Sequence, residues 1–340
     1  MAVNKRRKKA DMSILIKAIV FIVVIILAAL LMLAISKMAS EPNKPNVSDN
    51  QSESSGNTSE NDNSDSISDT GSLPSNTEFA TVTVDNQKVF TGDLILVNDE
   101  HPYIFPSDDQ STLVSLYENK SSDYKTGDIN VKLQPQAIQA MNSMMSAFKL
   151  IYGRTDLTIM NGYRSLQDQQ KEYDSIVNDV GEAEASTLVS KAGASDHHTG
   201  LAMDFIIVTS TTVSKFSPTG DYSWVVENTF RYGLIQRYKT GKEMITGMEN
   251  RDAFYRYVGL PHSYVMNTNN YSLDEYIIAL KTYRYDSEML EVEFDGANYK
   301  VYYYPADSGS STVLPIPNDC TSYSISGNNI DGFIITAIYK

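Results

Sequence analysis

A chain of 340 residues, 41% hydrophobic and 21% charged, has room for two modest domains, but its polarity is unevenly spread. The formal charge of −14 conceals a basic start. Lys5, Arg6, Arg7, Lys8, Lys9 and Lys17 against Asp11 give residues 1–17 a net +5, leaving −19 for the rest. So acidic a body excludes a nucleic-acid binder, because phosphate attraction needs clustered Lys and Arg. The single cysteine, Cys320, excludes an internal disulfide framework and a Cys-rich zinc site.

Ala18 to Ile35 reads AIVFIVVIILAALLMLAI, eighteen apolar residues without a charge. With Ile14–Ile16 and a snorkelling Lys17 the stretch reaches about 22 residues, enough to cross a hydrocarbon core of ~30 Å. A cleaved signal peptide is the rival, but its apolar region normally runs only ~7–15 residues. The expectation is a basic cytoplasmic segment at 1–11 and a single-pass cell-membrane anchor at 12–36, with everything beyond it outside by the positive-inside rule. Residues 37–78 are rich in Ser, Asn, Asp and Glu and lack aromatics until the next segment, which reads as a disordered acidic linker.

Order is expected from Phe79. TVTVDNQKVFTGDLILVN alternates and then runs apolar, predicting short strands. Over 134–152, Ile138, Met141, Met144, Met145 and Phe148 fall at helical spacing behind Pro135, predicting a helix whose methionines fill core. LTIMNGYRS predicts a strand and turn, and LQDQQKEYDSIVNDV a second helix; further helices are expected at 223–232 and 272–281. The tail, 283–340, has turns at DGAN, PADSGSS and SGNN and predicts four or five strands, its tyrosines pairing as packing. The fold class is α+β: a small mixed or antiparallel sheet with flanking helices over 79–282, plus a β-rich C-terminal extension.

Chemistry concentrates in SDHHTGLAMDF, Ser195 to Phe205, which holds two of the four histidines. His197 and Asp204 stand seven apart with Gly200 between them, so a loop histidine and a strand aspartate can meet at one cation, and zinc accepts both ligand types. On spacing alone, a histidine pair before a turn is more often a surface feature or an outside support.

Ser195-x-His197-x-x-Gly200-x-Ala202-x-Asp204 resembles the S-x-H-x-x-G-x-A-x-D signature of the VanY-type zinc D-alanyl-D-alanine carboxypeptidases. GYRSLQDQQ (162–170), YSWVVENTFRYGLIQRYKTGKEMITG (222–247) and RYVGLPH (256–262) resemble further motifs of that family in the same order, so the similarity covers about 92 to 280. The resemblance implies an extracytoplasmic hydrolase of peptidoglycan stem peptides, with zinc on two histidines and one aspartate and a glutamate as acid–base. It implies His197 and Asp204 as metal ligands and Arg164, Gln169 and Ser195 at the substrate, with Arg164 on a carboxylate.

The resemblance breaks at the family's E-x-W-H-x-R-Y-V-G. Aligned without gaps on Arg256, the glutamate position is Arg251 and the third-ligand histidine is Phe254. A phenyl ring offers a metal no lone pair, and a guanidinium does not deprotonate water near neutral pH. Zinc is therefore expected to be weak or absent. The leading expectation is a stem-peptide binder with reduced or no catalysis. The alternative is an active zinc carboxypeptidase recruiting Glu249, Asp252 or His262, the last expected on a loop. A third, blander reading is an envelope structural protein with an idle cleft. His198 is expected to point elsewhere, and Cys320 to be buried.

Overall fold

The computed structural model describes residues 78–106 and 112–339. The expected basic segment, the anchor and all but the last residue of the linker lie outside the described residues. Among the described residues no helix is long and apolar enough to cross a membrane.

The site is carried by a mixed sheet. Its strands run Lys125–Thr126, Leu157–Asn161, Ala202–Val208, Phe254–Tyr257 and Leu234–Gln236, with Val213–Lys215 also paired to Ala202–Val208. The first pair is parallel and the others antiparallel. Against it lies the helix Pro135–Tyr152, with Pro135 in its first turn and Gly153 capping it in the left-handed region at φ 68°. Its buried stripe is Ala137, Ile138, Met141, Met144, Met145 and Phe148, which joins Leu157, Ile159, Met203 and Phe205 of the sheet in one core. Each fully buried side chain of this size contributes about 1.5–3 kcal/mol.

The second helix, Leu166–Val180, starts where Ser165 accepts a bond from the Asp168 amide and buries only Gln169 and Tyr173. The stretch expected as one helix at 223–232 divides into an α-helix, Ser223–Asn228, and a 3-10 turn, Thr229–Tyr232. Leu273–Leu280 begins with a reciprocal cap between Ser272 and Glu275. The helices Glu182–Leu188 and His262–Thr268 are not among those expected, and the second replaces the loop anticipated around His262. Both are too short to show a period.

The tail supplies five strands. Leu290–Phe294, Ala297–Pro305, Gly332–Tyr339 and Ser322–Gly327 form an antiparallel sheet in that order, while Ser311–Pro317 pairs with the early strand Phe79–Asp85. Tyr302 is buried and Tyr285 packs against both it and Tyr304. Cys320 is half-buried, not buried as expected, because it sits at a turn where its Sγ donates to the Pro317 carbonyl at 3.1 Å.

The apolar run at 94–97 is buried, yet it is not the strand its composition predicts. Much of its backbone is satisfied by side chains instead of a ladder. Leu94 N–H donates to Ser326 Oγ (3.0 Å), Leu96 O accepts from Asn329 Nδ2 (2.8 Å), and Asp93 O accepts from Arg256 Nη2 (3.0 Å).

Candidate functional site

One row of the sheet builds the site. Asp204 lies directly opposite Asn161 on one neighbouring strand and opposite Phe254 on the other. Residues opposite one another project to the same face, so the three side chains converge. A register shift between Ile159 and Asn161 re-aims the asparagine, whose Nδ2 donates to Asp204 Oδ2 at 3.0 Å. His197 enters from the 3-10 turn Asp196–Thr199, closed by Gly200 at φ 69°. Its Nε2 lies 3.1 Å from the same Asp204 Oδ2. Arg251, from the loop before Phe254, places Nη2 2.9 Å from Asp204 Oδ1.

Phe254 is 1% exposed and fills the space between these groups. Its ring meets His197 edge-on at 5.0 Å, stacks on Tyr238 at 5.4 Å, and carries the Arg251 guanidinium on its face at 4.4 Å. Burial lowers the His197 pKa, more than its contact with Asp204 raises it, so the imidazole is neutral at pH 7. Burial alone would raise Asp204. The His197 hydrogen bond, the Arg251 charge and the Asn161 amide override it and hold the carboxyl well below the usual range. Among the described residues His197 Nδ1 is buried without a hydrogen-bond partner.

The resemblance-derived substrate residues lie beside this row. Arg164 N–H donates to the His197 carbonyl at 3.3 Å, which ties the two loops together. Its Nη1 donates to Gln169 Oε1 at 3.2 Å, and Gln169 is fixed in turn by donating Nε2 to Ser190 O at 2.7 Å. Ser195 Oγ is buried and accepts from the His197 amide at 3.3 Å, so it caps the histidine turn. His198 turns away, with Nδ1 at 2.8 Å from Arg164 O and Nε2 accepting from Gly193 N at 3.0 Å.

Beneath the histidine turn runs a buried charge ladder that sequence reasoning missed. Asp196 is paired with Arg256 and, at 2.8 Å, with Arg237, which reaches Asp274 at 2.7 Å. All four are nearly or wholly buried. The available signal was two arginines inside motifs otherwise aimed at the site. Asn161 gave only its place at the end of an apolar strand, just before the Gly-Tyr-Arg turn.

The zinc implied by the resemblance does not fit these residues. His197 Nε2 and Asp204 Oδ2 are spaced like two corners of a zinc tetrahedron, whose edge is about 3.3 Å for bonds of ~2.0–2.1 Å. Phe254, opposite Asp204 in the sheet and edge-on to His197, offers no lone pair, and the second Asp204 oxygen already holds a guanidinium. Among the described residues no group of three His, Cys, Asp or Glu side chains could hold a metal. The candidate substitutes are engaged elsewhere. Glu249 Oε1 accepts from Thr187 at 3.2 Å, and Asp252 Oδ1 accepts from Asn250 at 2.9 Å. His262 is locked between Tyr276 OH (2.9 Å) and Thr336 Oγ1 (3.0 Å) under the extension.

Comparison with known proteins agrees with this architecture. Residues 130–260 match the VanY family, D-alanyl-D-alanine carboxypeptidase. A D-alanyl-D-alanine carboxypeptidase of Enterococcus faecium is 31% identical over 264 residues, 77% of this chain and 79% of the relative. The bifunctional D-Ala-D-Ala dipeptidase and carboxypeptidase VanXYC of Enterococcus gallinarum is 29% identical over 153 residues, 44% of this chain and 79% of that protein. Among solved structures, the vancomycin-resistance D,D-dipeptidase VanXYg, in complex with a D-Ala-D-Ala phosphinate analogue, superposes with a TM-score of 0.68 at 30% identity. That match covers 76% of this chain and 99% of VanXYg. Sheet, motifs and relatives converge: the chain belongs to the VanY-type D-alanyl-D-alanine carboxypeptidase family.

Proposed function

We propose that this protein binds the D-alanine-bearing ends of peptidoglycan stem peptides outside the membrane, held there by an anchor at 12–36, and hydrolyses them slowly or not at all. The relatives carry the ligand class. What separates this chain from a working hydrolase is Asp204, both of whose oxygens are committed: Oδ2 to His197 and Asn161, Oδ1 to Arg251. With Phe254 in the third-ligand position, one neutral imidazole and one neutralised carboxylate remain. That pair neither retains a zinc ion nor supplies a free base. Arg164, oriented by Gln169, still offers a guanidinium for the peptide's terminal carboxylate.

The alternative of an active enzyme with a substitute ligand and base is disfavoured by where Glu249, Asp252 and His262 are bonded. Titrating the full chain with a stem pentapeptide ending in D-Ala-D-Ala, while assaying free D-alanine, tests the reading. Saturable binding without D-alanine release supports it; turnover at a rate typical of enzymes, of order 1 per second or more, rejects it.

A further inference from the structure

We infer that Arg251 is the cation of this site, a guanidinium in place of a metal, which captures a peptide carboxylate without any metal ion. This rests on the reading of the cleft as a stem-peptide site and adds the group that does the holding.

Arg251 is fixed from two sides. Its Nη2 is bonded to Asp204 Oδ1 at 2.9 Å, and its Cζ sits over the Phe254 ring, 4.4 Å from the centroid. Those contacts use one of its five N–H donors in a hydrogen bond among the described residues, and the side chain is still 27% exposed. It is therefore oriented but not saturated, a state that costs a ligand little ordering entropy. Phe254, which cannot bind a metal, is well suited as a platform for a guanidinium.

The charge balance favours an anion. Arg251 is offset by Asp204 inside the site, whereas the carboxylates near Arg164 among the described residues, Glu172 at 3.9 Å and Asp168, lie toward solvent with side chains 45% and 59% exposed. His197 links the two arginines, bonding Asp204 through its ring and accepting the Arg164 amide on its carbonyl. The Arg164 charge is thus offset from the solvent side and not from within the site, and each guanidinium presents the planar fork that matches a carboxylate. A peptide with a free C-terminal carboxylate answers both features.

The test is calorimetric titration of the full chain with a D-Ala-D-Ala-terminated pentapeptide and with its C-terminal amide, in EDTA and in zinc. The same series is run on Arg251→Ala, Arg251→Lys and Arg251→Gln, each checked for folding by thermal melting. The expected result is affinity unchanged by EDTA within about twofold and a loss of about tenfold or more on amidation. Arg251→Ala and Arg251→Gln should lose about tenfold or more, and Arg251→Lys should recover part of it. Retained affinity in folded Arg251→Ala or Arg251→Gln, or loss of binding in EDTA, overturns the role of Arg251 and leaves stem-peptide binding standing. Failure of the unmodified chain to bind the pentapeptide overturns both.

Discussion

Asp204 and Arg251, 47 positions apart in sequence, form an ion pair of 2.9 Å that commits one oxygen of the Asp204 carboxylate. The pair and the Phe254 ring beside it act together. Removing a single obstacle leaves the other in place. Arg251→Glu combined with Phe254→His is therefore expected to recruit zinc with an affinity orders of magnitude above either single substitution, read by competition with a chromogenic chelator. Equal affinities for the single and double variants would show that removing the second obstacle adds nothing, and would contradict this reading.

The ladder Arg256–Asp196–Arg237–Asp274 positions the histidine turn from below. Asp196→Ala leaves two buried guanidinium groups short of their shared counter-charge, a loss in the range of about 3–5 kcal/mol. Denaturant unfolding should register it as a lower midpoint with an unchanged slope. A change under about 1 kcal/mol would mean that water reaches the arginines.

How much of this was readable beforehand depends on where each group finds its partner. The helix Pro135–Tyr152 was legible because Ile138, Met141, Met145 and Phe148 mark one face at the helical period. His197, Asp204, Arg251 and Phe254 were legible as positions because their motifs are local. Their mutual arrangement was not, since it depends on the register that sets Asp204 between Asn161 and Phe254. The run 94–97 misled for a related reason: an apolar stretch looks like a buried strand whether a ladder or the distant side chains of Ser326, Asn329 and Arg256 satisfy its backbone. The partnering of Phe79–Asp85 with Ser311–Pro317, more than 220 positions on, leaves no trace in either segment alone.

His262 gives a pH dependence of known sign. Burial pushes its pKa down from 6.5 to about 3. The folded protein excludes the proton that the unfolded chain takes up below pH 6.5, so this contribution is complete above 6.5 and is lost as the pH falls toward 3. The slope from this residue approaches ~1.4 kcal/mol per pH unit within that window. Melting curves of the parent and of His262→Asn, compared from pH 7 to 4, should converge as the pH drops; parallel curves would contradict the assignment.

Gly200 ends the histidine turn at φ 69°, and a Cβ there would lie 2.3 Å from Leu113 Cδ2. Gly200→Ala is expected to cost about 1–2 kcal/mol from the left-handed backbone alone, the leucine methyl being able to move. Thermal melting reads the cost, and an unchanged midpoint would show that the turn tolerates a side chain.

Exchange of the metal for Arg251 leaves a zinc ion nothing to be retained by. The most direct measurement is zinc content of the unmodified full chain after equilibration with one equivalent of zinc and removal of free metal, with D-alanine release assayed on the same sample. The expected result is fewer than about one zinc per ten chains and no release above the metal-free control. Stoichiometric zinc with D-alanine release would contradict it.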